Sequence, residues 1–226
     1  MSTLLILRSN FRDFYDHAFD SGGQVFNRID TGGLNRRQMF SFLESLGLKT
    51  PPHGIVKELV PKLLSVYQQD FRDAAAKQIL DVVVYTDEKA HRGEGKEKVA
   101  AAEALERFPD HYCSEFIYTT QTESGRSFRH LQVGTHNWWI ESWSDSDWRS
   151  NVGEGGEYIR AEAEYGYQPK IKEPIFAVDF VKADRLYAID YNVAPSLASL
   201  KRTVTPTKIV ESIKHAVEHF AARPKK

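Results

Sequence analysis

Two acids and an amide stand where apolar strands should run. Residues 176–192 read FAVDFVKADRLYAIDYN, with Asp179 inside one apolar run and Asp190 and Asn192 flanking Tyr191 in the next. Side chains two apart on a strand share a face, so Asp190 and Asn192 point one way and Tyr191 the other. If the runs pair as a hairpin through Ala183-Asp184-Arg185, Asp179 lies opposite the neighbourhood of Asp190 and three oxygen donors converge. Such donors suit Mg²⁺, a hard cation that keeps waters or phosphate oxygens in its remaining positions. The alternative is three solvated residues on an open face. Upstream, DWRSNVGEGG sets Arg149 and Asn151 before Gly153, Gly155 and Gly156. Glycines let a backbone approach an anion closely, and an arginine offers a planar fork to phosphate or carboxylate. A flexible surface loop with a solvated arginine is the competing reading.

The elements that must position these residues follow from periodicity. LLILR at 4–8 is a short opening strand. In LNRRQMFSFLESLGLKTPP, Met39, Phe40, Phe42, Leu43 and Leu46 recur at helical spacing, with Asn35 as cap, Gly47 as stop and Pro51-Pro52 as exit. A second helix is expected over 57–69, with Pro61 in its first turn. DVVVYTD (81–87) is a β-branched strand, followed by the polar EKAHRGEGK and a helix in KVAAAEALERF. YCSEFIYTT (112–120), FRHLQVG (128–134) and NWWIESW (137–143) read as an antiparallel meander. The polar SDSDWRSNVGEGGE interrupts, strands 175–182 and 186–192 follow, and a helix from Thr205 to Ala222 closes the chain. This mixture of helices and antiparallel strands is α+β.

Composition narrows the functions. Among 226 residues, 30 basic and 31 acidic side chains leave a net charge of −1, which disfavours a nucleic-acid partner. The longest apolar runs, LLIL and VVV, are far shorter than the ~20 residues that span a bilayer, so no membrane partner is expected. The N-terminus lacks the pattern of a signal peptide. One cysteine, Cys113, excludes an internal disulfide and suits a reducing, cytoplasmic setting. It reads as a small core residue rather than a nucleophile. The eight histidines show no zinc spacing. Trp138, Trp139, Trp143 and Trp148 read as core or substrate-wall residues, with a stacking platform for a base or sugar as the other reading.

The order of these motifs resembles the ATP-grasp superfamily. SFRHLQVG, a second strand, DWRSNVGEGG, FAVDFV and IDYNVAPSL follow one another as in its RimK-like branch of ribosomal-protein glutamate ligases. Glutathione synthetases and D-alanine–D-alanine ligases are more distantly similar. The helix ending LGLKTPP and the segment YCSEFI, which resembles the adenine-contacting hinge, extend the likeness over roughly residues 27–200.

The resemblance implies two α+β subdomains whose antiparallel sheets clamp a nucleotide between them. It implies a vestigial N-terminal segment (1–34), a small subdomain with helices and phosphate lid (35–120), and a large subdomain with the metal site (121–226). Asp179, Asp190 and Asn192 would hold Mg²⁺ (or Mn²⁺) against ATP, with Asp190 in place of the commoner glutamate. Arg129, Arg149 and Asn151 would act in catalysis. Arg36, Lys89, Glu115, Phe116 and Ile117 would bind the nucleotide. The sequence departs from the pattern at several points. Arg36 replaces a lysine, Tyr85 or Thr86 stands where a second lysine ends the strand, the lid is reduced to Gly93 and Gly95, and Pro195-Ser196 replaces Pro-Gly. The implied activity is an ATP-dependent carboxylate–amine (or thiol) ligase working through an acyl phosphate on small-molecule or peptide substrates. A homo-oligomer or a partner protein would then supply the missing front domain. The alternative is a nucleotide-binding regulatory or accessory subunit with little ligase activity.

Overall fold

The structure, a computed structural model, describes residues 3–5, 24–26, 34–70, 80–90, 94–119, 125–134, 136–160, 171, 175–192, 195, 197, 200 and 204–221. Two short strands, β1 (Thr3–Leu5) and β2 (Gln24–Phe26), pair in parallel. The remaining strands form two antiparallel sheets, and the chain divides into two compact units.

One unit comprises the described residues of 34–123 and 181–189. Its first helix, α1 (Arg36–Ser45), opens on a capping box in which Asn35 and Gln38 satisfy each other's backbone N–H. It ends at Gly47, whose φ of +78° is the left-handed conformation glycine adopts without strain. Strand β3 (His53–Ile55) and helix α2 (Val56–Asp70) follow. Helix α2 starts one residue earlier than its periodicity suggests, because the Val56 and Lys57 amides donate to the His111 and Pro109 carbonyls at 2.9 and 3.0 Å. Pro61 therefore lies in the second turn of α2, not the first. Burial of Val56, Val60 and Leu63 against Val82, Val84 and Cys113 offsets the lost hydrogen bond.

The sheet of this unit runs β3–β6–β4–β5, with β4 at Asp81–Tyr85, β5 at Lys96–Ala100 and β6 at Tyr112–Glu115. Two sequence expectations are corrected here. The segment KVAAAEALERF is not helical from Lys98; β5 runs through Ala100, and only Ala101–Arg107 forms helix α3. The alternating charges of KEKVA suit an exposed edge strand, a pattern that local helix propensity hides. Strand β6 ends at Glu115 and pairs with β3 and β4, so it does not belong to the later meander. Cys113 is fully buried in this core, and burial pushes its thiol up to about 12, as expected of a core residue.

The second unit comprises the described residues of 1–33, 124–180 and 190–226. The five-stranded sheet runs β11–β10–β7–β8–β9. Its strands are β7 (Arg126–Val133), β8 (His136–Ser144), β9 (Gly155–Arg160), β10 (Ile175–Lys182) and β11 (Leu186–Asn192). Strand β9 follows the glycine loop, where the sequence suggested only polar loop. The expected hairpin of 175–182 with 186–192 is present. One sheet face buries Leu131, Ile140 and Ala177 against Ile209 of helix α4 (Pro206–Ala221). The other carries His130, Trp139, Phe176 and Phe180 in mutual ring contact. Of the other tryptophans, Trp138 packs on the first face and Trp143 against Tyr158. No described helix is long and apolar enough to cross a membrane.

Candidate active site

On the five-stranded sheet, strand pairing brings Asp179 directly across from Arg129. The Arg129 Nε and Nη2 donate to the two Asp179 oxygens at 2.7 and 2.8 Å. This bidentate grip, with Asp190 and Glu157 adding to it, holds the guanidinium still further above its usual range despite burial. The rings of Phe176 and Tyr191 lie 6.4 Å apart on one side of the sheet. Alternation then puts Asp179, Asp190 and Asn192 together on the other side.

That set of donors fits a hard divalent cation in its chemistry. Two carboxylates and one amide supply oxygen only, and each is half-buried. Each carboxylate oxygen has two lone pairs, so Asp179 can keep Arg129 and still accept a further ligand. One Asp190 oxygen also accepts the Tyr191 amide at 3.0 Å. Among the described residues no cluster of three His, Cys, Asp or Glu could hold a metal.

The loop between β8 and β9 carries Arg149 and Asn151, and it is tied down along its length. The buried Ser144 hydroxyl donates to the Val152 carbonyl, accepts the Asp147 amide at 3.1 Å and lies 3.2 Å from the Glu154 carbonyl. Asp145 donates its amide to Glu154 at 2.7 Å, and Gly125 donates to the Asp147 carbonyl at 2.8 Å. Gly153, at φ +79°, packs where a Cβ would come within 2.2 Å of the Ser146 hydroxyl. Arg149 folds onto Asp147, its Nε and Nη2 donating to the two carboxylate oxygens at 2.9 and 2.8 Å. Asn151 is exposed in the same turn. The Ser150 hydroxyl meets that of Ser127 on β7.

The nucleotide-binding candidates all lie in the other unit. Arg36 is buried, its guanidinium 5.3 Å from the centre of the Tyr85 ring and one nitrogen 3.4 Å from the Met39 sulfur. Arg36, where the resemblance leads one to expect a lysine, is thus packed on Tyr85, one of the two candidates (with Thr86) for the second lysine position. Lys89 is exposed, and its amide caps on Asp87 at 2.9 Å. Glu115 accepts the Tyr67 hydroxyl at 2.6 Å. The Glu115 and Phe116 amides already donate to the Pro52 and Asp81 carbonyls at 2.8 and 3.0 Å. Among the described residues no backbone carbonyl accepts the Ile117 amide, the third of the candidate segment. Gly93 of the lid lies outside the described residues, whereas Gly95 takes φ +62° with its carbonyl accepting the Asp87 amide at 3.1 Å.

No protein-family model matches the sequence, and no curated protein matches it either. Solved structures do. The ATP-grasp ligase PsnB, complexed with a phosphomimetic variant of its minimal precursor, Mg and ADP, aligns with a TM-score of 0.56 at 10% identity, over 95% of this chain and 77% of that one. A RiPP-associated ATP-grasp ligase of Chryseobacterium gregarium, bound to ADP and a leader and core peptide, gives 0.53 at 14% identity over 99% and 78%. A RimK domain ATP-grasp protein of Sphaerobacter thermophilus gives 0.51 at 13% identity over 96% and 80%. The chain has the ATP-grasp fold.

Within this ATP-grasp fold, sequence reasoning picked out Arg129 and the Asp179 that holds it, but for Arg149 it missed the residues that hold the side chain and its loop. Asp147 and Ser144 went unremarked, although Ser-Asp-Ser-Asp at a strand exit signals side-chain-to-backbone turns. Lys98 was also missed. Its ammonium lies 4.2 Å from the centre of the Phe116 ring and 3.2 Å from Asp81, which also accepts the Tyr118 hydroxyl at 2.6 Å. Nothing local in KEKVA announces that partnership. Glu141 is almost fully buried on the ring-bearing face, bonded to Tyr158 on β9 and 3.2 Å from Arg126 on β7. It ties three strands together and takes no part in the face that bears Arg129.

Proposed function

We propose that this chain is an ATP-dependent ligase that activates a carboxylate as an acyl phosphate and passes the acyl group to an amine (or thiol). The observation that carries this reading is the shared sheet face of Asp179, Asp190 and Asn192 beside Arg129 in an ATP-grasp fold. A carboxylate is a poor electrophile until phosphorylation creates a leaving group. When bound, Mg²⁺ (or Mn²⁺) with ATP would supply the phosphoryl group and offset its charge.

The protein residues have distinct roles in this reading. Asp179, Asp190 and Asn192 hold the cation. Arg129, already oriented by Asp179, presents its guanidinium to the phosphoryl oxygens. Arg149 stabilises charge that develops during phosphoryl and acyl transfer, with Asn151 beside it. In the four-stranded unit, Arg36 and Lys89 supply positive charge for phosphate, and Ile117 offers its amide to the adenine edge next to Glu115 and Phe116. The Chryseobacterium enzyme was solved with a leader and core peptide, so peptides are the first acceptors to test.

The test is ADP release from Mg·ATP across a panel of amino acids and peptides, beside nucleotide titration of the same protein. Release that rises with a carboxylate–amine pair is expected. Arg149→Ala should cut that rate by about 10²–10³ while ATP affinity stays within about tenfold. If Arg149→Ala turns over like wild type, the mechanism is wrong. Arg36 packed on Tyr85 favours a second reading, a nucleotide-binding accessory protein with little ligase activity. Tight Mg·ATP binding with flat ADP release across the whole panel would select it.

A further inference from the structure

We propose that Asp147 is a positioning residue that aims Arg149, and that the Ser144 hydroxyl holds Asp147 in place to do so. The proposal rests on the ligase reading of Arg149. Asp147 grips Arg149 three times: the backbone N–H and Nε both donate to Oδ1, at 2.8 and 2.9 Å, and Nη2 donates to Oδ2 at 2.8 Å. A side-on grip through Nε and Nη2 fixes the plane of the guanidinium and the direction of its far edge, which a single contact would not. The Trp148 ring, 5.5 Å from Cζ, forms a second wall.

Asp147 is itself held from both sides. Its amide donates to the Ser144 oxygen at 3.1 Å, and its carbonyl accepts the Gly125 amide at 2.8 Å. Gly125 allows no side chain, since a Cβ there would lie 2.5 Å from the Trp148 backbone. Ser144 is 1% exposed and donates to the Val152 carbonyl at the far end of the loop, while the Val152 amide returns to the Arg149 carbonyl at 3.2 Å. The contacts thus close a ring around Arg149. A pair only two residues apart, with 25% and 20% of its side chains exposed, cross-links little of the chain and does little for global stability. What it can do is keep a long, flexible cation in one direction, which catalysis demands more than folding does.

The decisive experiment measures ADP release from Mg·ATP over the amino-acid and peptide panel for wild type, Asp147→Asn, Arg149→Ala and the double variant. Asparagine keeps one acceptor oxygen and loses the fork. Asp147→Asn should lower kcat about tenfold to 100-fold with the KM for ATP within about threefold. Added to Arg149→Ala, it should change the rate by less than about twofold, because nothing remains to aim. Ser144→Ala should lower kcat in the same way, and Ser144→Thr, which keeps the hydroxyl, should restore it. If Asp147→Asn matches wild type while Arg149→Ala is inactive, the positioning role is overturned and the ligase reading stands. A further large loss on the Arg149→Ala background would also overturn it, since Asp147 would then act on structure alone. Arg149→Ala at the wild-type rate would instead remove the ligase reading beneath it.

Discussion

The two units hold their candidate site arginines in different ways. In the five-stranded unit, Arg129 and Arg149 are each gripped side-on by a carboxylate, Asp179 and Asp147. In the four-stranded unit the candidate Arg36 lies 5.3 Å from the centre of the Tyr85 ring, and the carboxylate fork there belongs to its neighbour Arg37, whose Nε and Nη2 donate to Glu88 at 3.0 and 2.9 Å. A carboxylate fork sets direction, whereas a ring face sets only proximity, because the attraction changes little as the guanidinium slides across it. The first arrangement suits charge that must meet a reacting group in one orientation. The second suits charge that need only lie near a polyanion. In the proposed reaction, Arg129 and Arg149 would then suit the chemical step and Arg36 the binding of the nucleotide.

Variants can break or sharpen this contrast. The largest effect is expected from Asp190→Ala, which removes a proposed cation ligand. Magnesium-dependent nucleotide affinity should fall by about 100-fold or more by titration calorimetry, with little change in the residual binding measured in chelator. Arg129→Ala leaves Asp179 half-buried without its fork, and should cost on the order of 3 kcal/mol of unfolding free energy in a denaturant titration. An unchanged midpoint would mean that the pair contributes nothing to the sheet.

The acid limb of stability tests the opposite face of the same sheet. Burial pushes His130 down to about 4, from the ordinary value near 6.5. The unfolded chain therefore takes up this proton at higher pH than the folded one. Stability should fall as pH drops from about 6.5 to about 4, by up to about 3 kcal/mol, with no contribution above neutrality. His130→Phe, among Trp139 and Phe176, should flatten that limb; an unchanged slope would assign it to other groups.

Smaller effects are expected in the four-stranded unit. Arg36→Met keeps the packing stem on Tyr85 and should weaken nucleotide binding about tenfold, the loss of one charge-assisted contact. Lys89→Ala should change it by less than about threefold, because the side chain is exposed and the backbone alone is anchored. If Lys89→Ala cost as much as Asp190→Ala, the contrast between the units would collapse.

The sequence by itself determined the local devices and the identity of the charged residues. Alternation in LYAIDYN and the three-residue connection were enough for the hairpin and for the common side of Asp179, Asp190 and Asn192. The cap at Asn35 and the glycine stop at Gly47 were equally legible, because such motifs are satisfied within a few residues. Tertiary structure alone decided which strands pair and which partners hold the charges. YCSE belongs with β3 and β4, KEKVA is an edge strand, and β9 forms only because Gly155 and Gly156 can lie against Trp143, whose carbonyl would be 1.9 Å from a Cβ at Gly155. Arg129 meets Asp179 across 50 residues of chain, and Lys98 meets Asp81 and Phe116 across the sheet. Periodicity reports which face a side chain takes. The residue it meets on that face is set by strand register, and register is a property of the packed sheet.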